Sequence, residues 1–225
     1  MKKFFSFLIC AFMLSVNLAA NAIVESAPTQ EQMKVYSKCT KDEVIVNALE
    51  MLKNTPGEFS RKAILGNNLT DKPIKIEFMN LYEINPQYAN FDALGWKKTG
   101  RLYIYINKKH QDAPPAALAA VLAHEAIHQD ELNSLNEETY AWTLEAAVWT
   151  QFIEDNPNLA NIQHPLVTRQ NTIHKLFVKG NYTDKYIRKS VTSNLGYQNL
   201  PERSPGFEGN TPVFEWRGSD VEENL

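Results

Sequence analysis

The sequence predicts an α+β fold that is mostly helical, with a small sheet beside its most alanine-rich helix. Three observations support this prediction. Apolar side chains recur at helical spacing over residues 30–53. Apolar and polar residues alternate over 74–78 and again over 101–107, which is the period of a half-buried strand. Residues 116–130 are rich in alanine and leucine and contain neither glycine nor proline, which favours a long helix.

The other elements follow from the residues that begin and end them. Thr40 followed by Glu43 matches a capping box, which would divide the first helical region into two helices. Asp112 before two prolines suits the start of the alanine-rich helix, and Asn156-Pro157 ends the helix after it. In chain order we predict helical residues 30–53, strand 74–78, loop 85–95, turn 97–100, strand 101–107, and helices over 116–130, 134–155, 165–180 and 183–192.

The N-terminal residues are typical of an export signal. Lys2 and Lys3 precede an apolar run over residues 4–18, and Ala20-Asn21-Ala22 is typical of a cleavage site. The apolar run is short for a membrane span, which needs about 20 residues, and a retained N-terminal anchor is the alternative. We therefore predict a signal peptide at residues 1–22 and a secreted or periplasmic mature protein.

Length, charge and cysteine content limit what kind of protein the mature chain can be. Removing 22 of 225 residues leaves 203, which suits one domain at 23–193 followed by an irregular C-terminal tail at 194–225. The formal charge of −3 becomes about −5 without the two N-terminal lysines, and no basic stripe appears, which argues against a nucleic-acid partner. Cys39 is the one cysteine after the signal peptide, so we expect a small buried residue rather than a disulfide or a nucleophile.

The strongest chemical signal is the string His124-Glu125-Ala126-Ile127-His128 in the alanine-rich helix. Histidines four residues apart lie on one face of a helix, so their imidazoles can converge on one cation. Zinc accepts such nitrogen ligands in a tetrahedral arrangement. Glu125 could then take a proton from a water held at an open zinc position. Unrelated proteins carry such strings by chance, but here the surrounding residues 113–129 are otherwise uncharged, unlike a solvated helix face.

The sequence offers more than one candidate for the third ligand. Some zinc sites continue with a glycine and a third histidine, but Glu131 and Ser134 stand at those positions. A glutamate on the next helix is the other common ligand, and Glu137 and Glu138 compete for that role. Ser134 with Glu137 matches a capping box, which favours Glu138 as the ligand and leaves Glu137 as the alternative. Glu145 is a weaker candidate that could instead support a histidine from behind.

These residues together resemble a known group of enzymes. His124-Glu125-x-x-His128, followed by Glu138 in a Glu-x-x-Ala setting, is similar to the gluzincin group of zinc metallopeptidases over roughly residues 100–150. The resemblance implies that His124, His128 and Glu138 bind Zn²⁺ and that Glu125 is the catalytic base.

The resemblance also implies an architecture. It predicts a zincin-like metallopeptidase domain at residues 23–193, with a small sheet beside the active-site helix. The strand at 101–107 is the candidate edge strand, to which an extended substrate can pair. Trp142 departs from the pattern, because many members have an aspartate there that supports a histidine ligand.

The expected function is therefore hydrolysis of peptide bonds in a peptide or protein substrate, by Glu125-assisted attack of a zinc-bound water. The alternatives are a catalytically inactive zincin-like binding or assembly protein of the cell envelope, and a zinc amidase that acts on cell-wall peptides. A metallopeptidase usually stabilises the oxyanion with a Tyr, His or Arg side chain. Spacing selects none of the downstream candidates, which are Tyr140, His164, Arg169, His174, Tyr182 and Tyr186.

Overall fold

The computed structural model describes residues 29–204 and residue 207, and it has the predicted α+β architecture. The predicted signal peptide at 1–22 lies outside these residues. Among the described helices, none is long and apolar enough to cross a membrane. The elements are α1 (Gln30–Tyr36), α2 (Glu43–Met51), α3 (Glu58–Ile64), β1 (Lys75–Met79), β2 (Ala93–Lys98), β3 (Arg101–Asn107), α4 (Pro115–Glu125), α5 (Leu135–Asp155), α6 (Pro165–Lys179) and α7 (Lys185–Thr192).

Helix α4 lies at the centre of the helices, and α2, α3, α5 and α6 pack around it. Every residue from Ala116 to Glu125 is buried, so no side of this part of the helix faces solvent. A helix that is apolar all round is typical of a protein core. Its small alanine side chains let neighbouring backbone approach closely: a Cβ added at Gly57 would lie 3.0 Å from Ala123 Cβ. The segment from His124 to His128 thus begins inside the core and ends at its surface.

The sheet has the order β1-β3-β2, in which β1 is parallel to β3 and β2 is antiparallel to it. Thr99 (φ 49°) and Gly100 (φ 72°) form the two-residue turn between β2 and β3, and positive φ at both positions suits a tight hairpin. The prediction of a loop over 85–95 is wrong for its last residues, which belong to β2. The prediction that the strand at 101–107 is the edge strand is also wrong, because β3 is central.

The helical region predicted over 30–53 divides into α1 and α2, as the capping signal suggested. The capping residue differs from the prediction. Asp42 Oδ1 accepts a hydrogen bond from the Val44 N–H at 3.1 Å, whereas Thr40 Oγ1 accepts one from the Asp42 N–H. Thr40 therefore shapes the turn before the helix, and Asp42 satisfies the free amides at its start.

Cys39 lies in the core at 2% exposure, as predicted for a small buried residue. Its Sγ lies 3.4 Å from the Ile64 carbonyl oxygen, to which the thiol donates. Burial raises the pKa of the Cys39 thiol to about 11, against the opposing charges of nearby lysines. A thiol with so high a pKa is a poor nucleophile at neutral pH.

Candidate metal centre

His124 and His128 approach each other at the end of α4. The helix ends at Glu125, so the prediction of a helix over 116–130 is wrong for its last residues. The Ile127 N–H donates to the His124 carbonyl at 2.9 Å, which tightens the chain into a 3₁₀-type turn and places His128 beyond the helix. The two imidazole centroids still lie 5.3 Å apart. His124, Glu125 and His128 offer ligand atoms that all lie within 4.8 Å of one another, a group that could hold a metal ion.

Glu125 lies between the histidines and the sheet. Its Oε2 accepts a hydrogen bond from the Gly95 N–H of β2 at 2.6 Å, and its Oε1 lies 3.9 Å from His124 Nε2. This contact requires a glycine at position 95, because an added Cβ would lie 2.7 Å from the Glu125 carbonyl oxygen and 2.9 Å from His128 Cβ. Strand β2, rather than β3, is therefore the strand beside the motif.

Glu138 reaches the histidines from the first turn of α5. Its Oε2 lies 3.8 Å from His124 Nε2, and its Oε1 lies 3.6 Å from His128 Nε2. These separations are long for hydrogen bonds. They are close to the spacing of neighbouring ligand atoms around tetrahedral zinc, which is about 3.3–3.6 Å for bonds of about 2.0–2.2 Å.

The two oxygens of Glu138 differ in their partners. Oε1 accepts a hydrogen bond from Asn133 Nδ2 at 2.5 Å. Oε2 is buried and has no hydrogen-bond partner. Buried polar atoms are nearly always satisfied, so the unpartnered carboxylate oxygen beside an imidazole nitrogen is a position at which a cation could bind. Of the two adjacent glutamates, Glu138 is thus the one whose carboxylate faces both Nε2 atoms.

Glu137 has a different role from the one its capping pattern predicts. Ser134 Oγ accepts a hydrogen bond from the Glu137 N–H at 3.2 Å, so half of the capping box forms. The Glu137 side chain turns away from the helix start, and its Oε1 accepts from His128 Nδ1 at 2.8 Å. Glu145 acts in the same way on the first histidine, since its Oε2 lies 3.0 Å from His124 Nδ1.

Both histidines are therefore oriented from behind by carboxylates of α5. When a neutral imidazole donates its Nδ1–H to a carboxylate, its Nε2 carries the free lone pair. The Nε2 atoms of His124 and His128 are the atoms that face Glu138. This orientation is the one that a metal ligand requires.

Arg169 of α6 neutralises Glu145 inside the protein. Its guanidinium pairs with both oxygens of Glu145, and its Nε donates to Asp92 Oδ2 at 3.1 Å. Burial opposes ionisation of Glu145, but Arg169 and His124 outweigh it and lower the pKa of the carboxyl to about 2. The guanidinium also lies 5.0 Å from the centroid of the Trp142 ring. Trp142 thus packs against the arginine, while Glu145 supplies the carboxylate that contacts His124 Nδ1.

The carboxylates of Glu125, Glu137 and Glu138 shift the pKa values of groups at the site. Burial raises the pKa of Glu125, and the nearby charge of Glu138 adds to the rise against the opposing effect of the histidines. Burial would lower the pKa of His128, but Glu138, Glu137 and Glu125 outweigh it and raise the pKa to about 9. A site that attracts protons in this way is suited to a cation.

A cleft of about 380 Å³ opens beside the histidines, between β2 and the chain that follows α7. Its β2 side includes Leu94 and Trp96, and its opposite side includes Tyr197 and Leu200. A smaller cavity of about 190 Å³ lies beside His124 and Glu125. The lining of the cleft is thus mixed, with apolar side chains from β2 and the chain after α7 and carboxylates that include Glu125 and Glu138.

Tyr197 is a site residue that the sequence did not reveal. It lines both the cleft and the smaller cavity, and its hydroxyl accepts a hydrogen bond from Trp142 Nε1 at 3.3 Å. Burial raises its pKa well above the usual range, and the charge of Glu138 adds to the rise. The hydroxyl therefore stays protonated and can donate a hydrogen bond. Of the candidates named from the sequence, Arg169 lines the smaller cavity, but Glu145 and Asp92 engage its guanidinium.

Comparison with known proteins adds no relative. The chain matches no protein-family model, no curated protein sequence and no solved structure at a significant level. The centre is therefore defined by its own geometry, as a group of His124, Glu125 and His128 that could hold a metal ion, with Glu138 facing both imidazoles.

Proposed function

We propose that this protein is an exported, zinc-dependent metallopeptidase that hydrolyses peptide bonds. The observation that carries the proposal is the buried, unpartnered Oε2 of Glu138 beside His124 Nε2. Leaving a charged oxygen buried without a partner costs free energy, and a bound cation would remove that cost. The donor set also fits, because two imidazole nitrogens and one carboxylate oxygen form a common catalytic zinc site with an open position.

His124, His128 and Glu138 are the residues that would hold the ion, and Glu137 and Glu145 keep the two imidazoles in place. When bound, zinc supplies Lewis-acid activation of a water molecule and of the scissile carbonyl. Imidazole and carboxylate ligands without cysteine are consistent with zinc as the metal.

Glu125 is the proposed general base. Its Oε2 is held by the Gly95 N–H, and its Oε1 faces His124 Nε2, so the carboxylate is adjacent to the histidines without a hydrogen bond to either. The raised pKa makes this carboxylate a stronger base than an exposed glutamate. It can accept a proton from the attacking water and later pass it to the leaving amine.

The cleft suits an extended peptide substrate. Strand β2 is an edge strand of the described sheet and lines the cleft, so a substrate strand can add to it through main-chain hydrogen bonds. Leu94 and Trp96 offer apolar contacts to its side chains. Tyr197, on the opposite wall, is the proposed donor to the developing oxyanion.

The test is the substitution Glu125→Gln, with the exposed Glu131→Gln as the matched control in the same cleft. We expect E125Q to retain zinc, measured by elemental analysis after dialysis, and to lose hydrolysis of denatured protein substrates. E131Q should retain both. A folded wild-type protein that binds no zinc, or an E125Q variant as active as wild type, would contradict the proposal.

The substrate class and the export have separate tests. Activity on cell-wall peptides without activity on denatured proteins would favour the zinc amidase, and zinc binding without either activity would favour a binding protein. Export predicts that the mature protein begins at Ile23, which N-terminal sequencing of the protein recovered outside the cytoplasm would detect.

A further inference from the structure

The chain after α7 closes over the start of α5. We call residues 194–204 the C-terminal strap. Leu135 N–H donates to the Pro201 carbonyl at 2.9 Å, and Asn136 N–H donates to the Glu202 carbonyl at 3.1 Å. The first amides of a helix have no partner within the helix, so the strap satisfies two donors that would otherwise need water or a side chain. It thereby fixes the turn of α5 that carries Glu137 and Glu138.

The side chain of Arg188 also anchors the strap. Arg188 of α7 donates to Asn136 Oδ1 at 2.9 Å and also pairs with the Glu202 carboxylate. These contacts tie α7, the strap and the start of α5 together. They place the end of the strap against the buried face of α5, where Ser204 is 2% exposed.

Ser204 contacts the carboxylate that orients the second histidine. Its Oγ lies 3.1 Å from Glu137 Oε2 and 3.1 Å from Ser134 Oγ. A carboxylate can only accept and a hydroxyl carries one proton, so Ser204 donates to Glu137 and accepts from Ser134. The other oxygen of Glu137, Oε1, is the atom that accepts from His128 Nδ1. One hydrogen-bond chain therefore runs from the strap to His128.

We propose that Ser204 is a positioning residue of the metal centre, which acts through Glu137 to hold His128 in its ligand orientation. The inference rests on the proposed zinc site. Glu137 is 3% exposed and its carboxylate has two oxygens to satisfy, one turned to the imidazole and one to the strap. Without the hydroxyl, Oε2 loses its donor and the carboxylate is free to rotate away from Nδ1.

The coupling runs in both directions. If docking of the strap increases the affinity for zinc, zinc must stabilise the docked strap by the same factor. The amides of Leu135 and Asn136, which the strap covers, report on docking through hydrogen exchange. Zinc should therefore slow their exchange in the wild-type protein.

The experiment is a double-mutant cycle on zinc affinity, measured on the full mature chain by competition with a chromogenic chelator. Substitution of a direct histidine partner costs about 10–100-fold in metal affinity, and we expect this of Glu137→Ala. Ser204→Ala, one contact further away, should cost a smaller factor, about 3–10-fold by the same reasoning. The exposed Ser193→Ala, whose hydroxyl donates to the nearby Ser190 carbonyl oxygen, is the control and should leave affinity unchanged.

The cycle separates positioning from general stabilisation. In the Glu137→Ala background, Ser204→Ala should have no further effect on zinc affinity, and zinc should no longer slow exchange at Leu135 and Asn136 as it does in the wild type. An unchanged affinity in S204A, or an equal loss in both backgrounds, would overturn the role of Ser204. A wild-type protein that binds no zinc would instead overturn the proposed function.

Discussion

Replacing Glu138 by glutamine should affect the metal-loaded protein much more than the metal-free protein. Glutamine has the shape of glutamate but no charge, and Glu138 is 4% exposed among Glu125, Glu137 and the two histidines. Without metal, the substitution removes one of several buried negative charges but also its attraction to His128, so the stability of the apo protein should change little. With metal, it removes a ligand, so zinc should stabilise the variant much less.

The magnitude follows from linkage. At free zinc about 100-fold above the dissociation constant, binding stabilises the folded state by about 2.7 kcal/mol. For a chain of this size, about 1 kcal/mol corresponds to a shift in Tm of about 2–4 °C, so wild-type Tm should rise by about 5–11 °C. If the variant binds about 100-fold more weakly, the same free zinc equals its dissociation constant, and the stabilisation falls to about 0.4 kcal/mol, or about 1–2 °C.

The assay is thermal unfolding followed by circular dichroism, with and without buffered zinc, for wild type, Glu138→Gln and Glu137→Gln. Glu137→Gln keeps an acceptor for His128 Nδ1 and should retain part of the zinc-dependent shift. A full shift in E138Q would refute the assignment of Glu138 as a ligand. A greater loss of the shift in E137Q than in E138Q would reverse the order of the two glutamates.

Three further predictions test other parts of the centre. Gly95→Ala should push β2 away from Glu125 and destabilise the protein by about 1–3 kcal/mol, as overpacking does, which urea unfolding would measure; unchanged stability would contradict the close approach. Tyr197→Phe should leave zinc affinity unchanged while lowering kcat by about 10²-fold or more, the loss typical of an oxyanion donor, and an unchanged kcat would exclude that role. Burial opposes ionisation of Asp92, but its hydrogen bond with His110 and the charge of Arg169 outweigh burial and lower the pKa from 3.8 to about 2. A carboxyl whose pKa is lower in the folded state than in the unfolded state stabilises the protein at pH values above the unfolded-state pKa, and this stabilisation is lost as pH falls from about 4 to 2. Asp92→Asn should therefore remove about 2 kcal/mol of stability at pH 7 and less at pH 3. A loss of stability that does not shrink on acidification would refute this.

The sequence predicted those elements whose signal, a cap or an alternation of apolar residues, lies within the segment itself. Helix α5 begins after Ser134, as its cap indicated, and β1 and β3 follow the alternation of apolar residues. Strand β2 was missed because its sequence, Ala-Leu-Gly-Trp-Lys-Lys, does not alternate. It forms because β3 pairs with it and because Gly95 can approach Glu125, and both causes lie outside the segment itself.

Local sequence also failed to predict the end of α4 and the residues that contact the site from other segments. No glycine or proline lies between Glu125 and Ser134, so local sequence did not indicate that the helix stops there. His128 leaves the helix and pairs with Glu137 across the gap to α5. Tyr197 and Ser204 lie in a segment without helical or strand periodicity, and contacts with α5 rather than any local pattern bring them to the centre.

The charge balance of α5 links these observations to the proposed chemistry. This helix buries three carboxylates, those of Glu137, Glu138 and Glu145, which is costly unless each one is compensated. Arg169 compensates Glu145, and Glu137 shares its oxygens between His128 and Ser204. Glu138 has the Asn133 amide on one oxygen and no partner on the other. The one incompletely compensated carboxylate on α5 is thus the one that faces both Nε2 atoms, and a dication at that position would balance both Glu138 and the neighbouring Glu125.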